Sequence, residues 1–174
     1  MRVKLHIKLD ADEHLDLTLY GIKNKNTYKY NNGKQEGYWV DAYYPTNEPT
    51  IYLHGDVYYT DDAIKKILNL NPIRNTFIGN QWALNKEHKK VGEPFGWIIP
   101  EPNKFFTAIE KTKKLQDEGK TDRMPVSWEL YQVLEGHDVN DFIISEDTYL
   151  AIYDETDDVD APFKVEEIEK KVRS

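Results

Sequence analysis

Apolar and polar residues alternate strictly in two stretches near the N-terminus of the chain. The apolar positions are Val3, Leu5, Ile7 and Leu9 in the first stretch and Leu15, Leu17 and Leu19 in the second. A period of two is typical of β-strands with one buried face. Only the short segment 10–14 separates the two stretches, so we expect them to pair as a hairpin. The chain is therefore predicted to begin with antiparallel β-structure.

A second hairpin is predicted around Asn32 and Gly33, between residues 27–30 and 37–44. Asn-Gly supplies the positive φ angles that a two-residue hairpin turn requires. Further apolar runs predict short strands at 50–54, 57–59, 76–84, 95–99, 142–144 and 148–153.

Capping residues and apolar stripes with a helical period predict three to four short helices, mainly in the C-terminal half. Their expected positions are 60–70, 103–118, a short helix that Ser127 caps and Gly136 ends, and a final helix after Pro162. Strands and helices mix without regular alternation. The pattern predicts an α+β fold whose antiparallel sheet is built from N-terminal hairpins.

The length of 174 residues is typical of one domain, predicted to span 1–174. If the chain contains a subdomain boundary, the polar link 119–123 is where we expect it. The absence of cysteine excludes disulfides, thiolate catalysis and cysteine-bound zinc, and it is consistent with a reducing cytoplasm. The alternating N-terminus does not resemble a signal peptide, and no apolar run is long enough for a membrane span.

Negative charge is concentrated in residues 124–163, which we call the acidic segment. It contains eleven Asp and Glu residues and no Lys or Arg, in a chain with a formal net charge of -8. Protein surfaces usually mix the two signs because like charges repel each other. Either the lysine-rich stretches 86–90 and 104–114 neutralise the acidic segment within the fold, or it faces a basic partner.

The second explanation predicts a non-enzymatic protein that binds a basic, nucleic-acid-handling protein of a host. Such a surface imitates a row of phosphates, as antirestriction and anti-CRISPR proteins do as a class, although no motif assigns this chain to one of their families. The prediction includes a phage or mobile-element origin, a cytoplasmic location, and no cofactor, membrane contact or direct binding of nucleic acid. The predicted partner-binding residues are Glu135, Asp138, Asp141, Asp154, Asp157, Asp158 and Asp160.

Two alternatives remain open. A metal-dependent hydrolase or nuclease would use Asp41, His54 and Asp56, since His54 and Asp56 share one side of an extended segment. A structural or oligomerisation module of a phage would instead form a homo-oligomer. The loop 154–160 does not match a calcium-binding EF-hand, because Val159 stands where that loop requires Gly. No catalytic residue is predicted, and the sequence gives Ser127 no evident histidine partner.

Overall fold

The computed structural model describes residues 38–84 and 92–159 together with the strand backbone at 2–6, 8–9 and 28–29 and the helical positions 165 and 170. The strands are β1 Arg2–His6, β2 Lys8–Leu9, β3 Tyr28–Lys29, β4 Thr50–His54, β5 Val57–Tyr58, β6 Thr76–Asn80, β7 Pro94–Ile99, β8 Tyr149–Ile152 and β9 Asp157–Asp158. The α-helices are α1 Asp61–Asn69, α2 Pro102–Asp117 and α3 Ser127–Glu135. Short 3-10 helices cover Trp39–Ala42, Gln81–Leu84 and Glu146–Thr148.

The central sheet is mixed, with the strand order β1-β4-β7-β6-β8. Strand β7 runs antiparallel to both β4 and β6. The outer pairs β1-β4 and β6-β8 are parallel. The α+β class is confirmed, but the prediction of an antiparallel sheet is wrong for these outer pairs. Parallel neighbouring strands need a long crossover connection. For the pair β6-β8 this connection includes α2 and α3, which lie between β7 and β8 in the chain.

The structure tests only part of the two predicted hairpins. Residues 15–19, the second strand of the first hairpin, lie outside the described residues, so that hairpin stays a prediction. The turn of the second hairpin, at Asn32 and Gly33, also lies outside them. The second predicted strand of the second hairpin is wrong, because residues Trp39–Ala42 form a 3-10 helix. Residues 142–144 are also not a strand.

The core lies on both faces of the sheet because consecutive strand residues point to opposite sides. On one face, Tyr52, Phe77 and Trp97 pack against α2 and α3. On the other, Ile51, Ile78 and Ile98 pack against Ala63 and Ile67 of α1. The helices α2 and α3, which flank the link 119–123, therefore cover the same face.

The predicted helices at 60–70, 103–118 and 127–135 are present as α1, α2 and α3. Thr60 caps α1 through a bond from the backbone N–H of Ala63, and Gly136 ends α3 with φ 83°. Of the predicted final helix, only positions 165 and 170 are described, and both are helical. Within the described parts of the chain, no helix has the length and apolar character needed to cross a membrane.

Polar residues from several elements lie at one end of the sheet, and we call this end the carboxyl edge. It is the end at which β4, β6 and β8 finish and β7 begins. Two helices begin here as well. Thr60, which precedes α1, donates a hydrogen bond to Asp154 just beyond β8, and Trp128 of α3 donates one to the carbonyl of Gly92 just before β7.

Candidate functional site

The structure does not gather the seven predicted partner-binding residues into one surface. Glu135 forms an ion pair with Arg74 at 3.0 Å, and its side chain is only 6 % exposed. Arg74 precedes β6, so Glu135 lies at the opposite end of the sheet from the carboxyl edge. Asp158 is buried in β9, where it pairs with Val57 of β5. Asp160 lies outside the described residues.

Asp138 and Asp141 lie together in the exposed turn that follows α3. The carboxylate of Asp138 accepts a hydrogen bond from the backbone N–H of Asn140 at 2.9 Å. The carboxylate of Asp141 accepts one from the N–H of Asp138 at 3.3 Å. Both carboxylates thus shape the turn while remaining exposed to solvent.

Five exposed carboxylates meet at the carboxyl edge. They come from the loop after β8, from the first residue of β9 and from the first turn of α1, and we call Asp61, Asp62, Asp154, Glu155 and Asp157 the acidic corner. Two of the five are outside the acidic segment of the sequence. Their neighbourhood follows from long-range contacts, since β5 pairs with β9 and the backbone N–H of Val159 donates to the carbonyl of Asp56.

Asp154 holds the acidic corner together. Its carboxylate accepts hydrogen bonds from the Thr60 hydroxyl at 2.7 Å and the Thr156 N–H at 2.8 Å. The Thr156 hydroxyl in turn accepts from the backbone N–H of Thr60. Burial acts to raise the pKa of the Asp154 carboxyl, but these hydrogen bonds hold it below its ordinary value.

Asp154→Ala is expected to lower the free energy of unfolding at pH 7 by about 1 kcal/mol, because the hydrogen bonds from the Thr60 hydroxyl, just before α1, and from the Thr156 N–H are lost. A carboxyl whose pKa is lowered in the folded state stabilises the fold above its unfolded pKa and loses this effect as the pH falls. The difference between wild type and variant should therefore shrink below about pH 4. Urea denaturation at several pH values measures it.

Asp147→Ala, at an exposed position before β8, is the control and should change the free energy by less than about 0.5 kcal/mol. Equal effects of the two substitutions would contradict the role given to Asp154.

The lysines of α2 do not neutralise the acidic segment in the way the sequence suggested. Lys113 pairs with Asp41 and Glu110, and Lys104 and Lys114 pair with acids of the same region of the chain, Glu101 and Glu118. Beside the acidic corner, Lys65 pairs with Asp62. Lys66 donates to the carbonyl of Ala151 and lies over the Tyr153 ring. The stretch 86–90 lies outside the described residues.

The three residues of the metal-site alternative are not arranged as a metal centre. Asp41 is in an ion pair with Lys113. The ring of His54 uses both nitrogens for hydrogen bonds within the protein, to the Pro94 carbonyl and the Tyr43 hydroxyl. Throughout the described residues, no group of three His, Asp or Glu side chains is placed to hold a metal ion.

His54 instead belongs to a buried polar network that the sequence did not reveal. The Tyr43 hydroxyl lies 2.6 Å from Ser127 Oγ and 3.0 Å from His54 Nε2, and it accepts a hydrogen bond from Trp97 Nε1 at 3.0 Å. Ser127 Oγ is also 3.5 Å from His54 Nε2. Ser127 therefore does have a histidine neighbour, contrary to the expectation from sequence, because the N-terminus of α3 packs against the end of β4.

The Pro94 carbonyl, which can only accept a hydrogen bond, determines which atoms of this network donate and which accept. A carbonyl cannot donate, so His54 Nδ1 donates to Pro94, and in the neutral ring Nε2 accepts from the Tyr43 hydroxyl. Ser127 then donates to Tyr43. Ser127 and Tyr43 are 0 % and 2 % exposed, so a substrate has no access to them. Burial raises the pKa of Tyr43 far above its ordinary value. We interpret the network as structural.

An open cleft of about 730 Å³ lies beside the N-terminus of α3. Its walls are the residues before β7, the link before α3 and the turn after α3, and we call it the α3 cleft. Carboxylates line it at Glu93, Asp122, Glu129 and Asp141, and Arg123 contributes a positive charge. The rings of Trp128 and Phe142 form its apolar part, with centroids 4.7 Å apart.

Glu129 neutralises two groups of this cleft that would otherwise attract anions, the Arg123 guanidinium and a backbone N–H at the start of α3. One carboxylate oxygen accepts a hydrogen bond from Arg123 Nε at 2.6 Å, and the other accepts from the backbone N–H of Val126 at 2.9 Å. The second bond caps α3. Ser127, the cap predicted from sequence, is instead the first helical residue and directs its hydroxyl to Tyr43.

Comparison with known proteins does not assign the chain to a family: no family model matches it, and no curated protein and no solved structure matches it either.

Proposed function

We propose that the protein is a non-enzymatic binding protein whose acidic corner docks on the basic, nucleic-acid-binding surface of another protein. The observation that supports this most directly is the convergence of exposed carboxylates from α1 and from the loop after β8. Two distant parts of the chain thus contribute charge of the same sign to one place.

Such a corner suits recognition of a basic surface for two physical reasons. A concentrated negative charge steers a positively charged partner and speeds its association. It also displaces the ions that a nucleic-acid-binding groove would otherwise hold. The same charge repels nucleic acid, so direct binding of DNA or RNA is not part of the proposal.

The proposed contact residues differ from those expected from sequence. Glu135 and Asp158 are excluded because both side chains are buried, whereas Asp61 and Asp62 are added. Inhibition of a host protein, in the manner of antirestriction and anti-CRISPR proteins, remains part of the proposal, as do a phage or mobile-element origin and a cytoplasmic location. These finer points rest on charge alone.

Glu155→Gln/Asp157→Asn should weaken partner binding and reduce its dependence on salt concentration, because two exposed carboxylates of the acidic corner are replaced by neutral amides. Asp154 is left unchanged because it stabilises the start of α1. The matched control is Glu146→Gln/Asp147→Asn, which removes two exposed charges from the other end of β8. The tagged proteins are used to capture partners from a bacterial lysate, with washes of increasing salt.

We expect wild type and control to retain a basic nucleic-acid-binding protein that moderate salt elutes, and the corner variant to lose it. A partner that all three proteins retain to the same salt concentration would refute docking through this corner. A stable homo-oligomer that captures no such protein would favour a structural module instead.

A further inference from the structure

The α3 cleft has the size, charge and apolar lining of a binding site that neither the acidic corner nor the buried network explains. Its volume of about 730 Å³ lies within the usual range of ligand sites. It also opens on a different part of the surface from the acidic corner, since α1 and α3 cover opposite faces of the sheet.

From this geometry we infer that the α3 cleft binds an arginine side chain presented by an extended segment of a partner protein. This inference deepens the proposed function and rests on it, because it assigns a second contact to the same kind of basic partner.

The described lining of the cleft carries more negative than positive charge. Among the described residues that line the cleft, four are acidic and Arg123 is basic. Glu129 already pairs with Arg123 and caps α3, so the attraction for anions at this helix end is offset. The carboxylates of Asp122 and Asp141 remain exposed on the wall. The cleft therefore favours a cation.

Hydrogen bonds hold two walls of the cleft in a fixed arrangement. The turn that carries Asp141 is fixed to the wall that carries Asp122, because the Asn140 side chain accepts from the N–H of Asp122 and donates to the carbonyl of Lys120. Phe142 is half-buried in the lining of the cleft and is in ring contact with Trp128, whose side chain is only 6 % exposed. The carboxylates and the Phe142 ring are thus held together before a ligand arrives, which lowers the entropic cost of binding.

An arginine side chain matches both the acidic and the apolar parts of the lining. An arginine side chain joins an apolar stem to a planar guanidinium that bonds to carboxylates through two parallel N–H groups and stacks on aromatic rings. A lysine ammonium can make the charge contact but cannot stack in this way. The volume exceeds that of one side chain, so neighbouring backbone of the partner occupies the remainder of the cleft.

The test uses the blocked tripeptide acetyl-Gly-Arg-Gly-amide, titrated into the folded protein and followed by two-dimensional NMR. The reporter is the Trp128 indole N–H, which donates to Gly92 at the cleft and is identified with Trp128→Phe. We expect a saturable shift of this signal. The citrulline analogue, which has the same shape without the charge, should bind at least about fivefold more weakly.

Matched variants place the site. Asp122→Asn/Asp141→Asn should weaken the tripeptide about fivefold, whereas Glu146→Gln/Asp147→Asn, with the same change of charge before β8, should leave its affinity unchanged. Equal losses in the two variants would show attraction by the overall charge and overturn the inference. Equal binding of the citrulline analogue would do the same.

Methylguanidinium distinguishes a peptide from a free small cation. If it binds as tightly as the tripeptide, the backbone of the segment contributes nothing and the inference is wrong about the occupant. The tripeptide is synthetic, so its binding to the α3 cleft is measured independently of partner capture through the acidic corner. Either experiment can succeed while the other fails, and the two failures can therefore be told apart.

Discussion

Gly96→Ala should destabilise the fold by about 4 kcal/mol or more, which is a large part of the stability of a typical domain. Gly96 lies within β7 at φ 152°, and a Cβ atom there would overlap the carbonyl oxygen of Tyr52 and approach Leu53 Cα to 3.2 Å. Both contacts are with the backbone of β4, the neighbouring strand. A side chain cannot rotate away from them, so the strands β4 and β7 would have to separate at the centre of the sheet.

Gly119→Ala is the matched control. Gly119 also has a positive φ, 64°, but no atom lies within 4 Å of the added Cβ. Only backbone strain of about 1 kcal/mol is expected there. Urea denaturation followed by circular dichroism measures both variants. Similar values for the two would show that the sheet absorbs the added methyl group, and would contradict the close approach of β4 and β7.

Tyr43→Phe should lower the free energy of unfolding by about 3 kcal/mol. The substitution keeps the ring, which packs against Tyr52 and Phe105. It removes the hydroxyl that accepts from Trp97 Nε1, bonds to Ser127 and donates to His54. Buried polar atoms of Trp97, Ser127 and His54 thereby lose a partner, and unsatisfied buried groups carry the full cost of desolvation.

Tyr153→Phe removes a hydroxyl from a tyrosine that is 62 % exposed and serves as the control. Its effect should stay within about 0.5 kcal/mol. The comparison is meaningful only if both variants unfold with the same dependence on urea as the wild type, which shows that the unfolded state is unchanged. A loss below about 1 kcal/mol for Tyr43→Phe would mean that the network is not a significant source of stability.

The helices could be predicted because their signals are local. Thr60 precedes two acidic residues and an apolar stripe, and Gly136 follows the stripe of α3, so both helix ends can be read within one or two turns. The strand directions could not be predicted in this way. The alternation of Val3 and Leu5 indicates a strand with two faces, but it does not indicate which neighbour the strand pairs with or in which direction.

The candidate sites depended on contacts between distant residues and were predicted only in part. Asp154 and Asp157, two of the residues expected to bind a partner, are exposed. Charge density alone could not show that Glu135 turns inward to Arg74. Nor could it show that Asp61 joins the acidic corner. The neighbourhood of Ser127 and His54 depends on helix packing against β4, for which a single sequence contains no signal.

The strand order has a consequence for how fast the chain can fold. Among the paired strands of the central sheet, only β6 and β7 are close in sequence, as the pairing of Phe77 with Trp97 shows. The outer pairs join residues much further apart in the chain: Val3 pairs with Ile51, and Phe77 also pairs with Tyr149. Such non-local pairing must close large loops before it gains contacts, and mixed domains of this kind fold more slowly than helical bundles. During synthesis, β6 cannot acquire its outer neighbour until residue 152 has left the ribosome. Until then an apolar strand edge stays open to pairing with other chains.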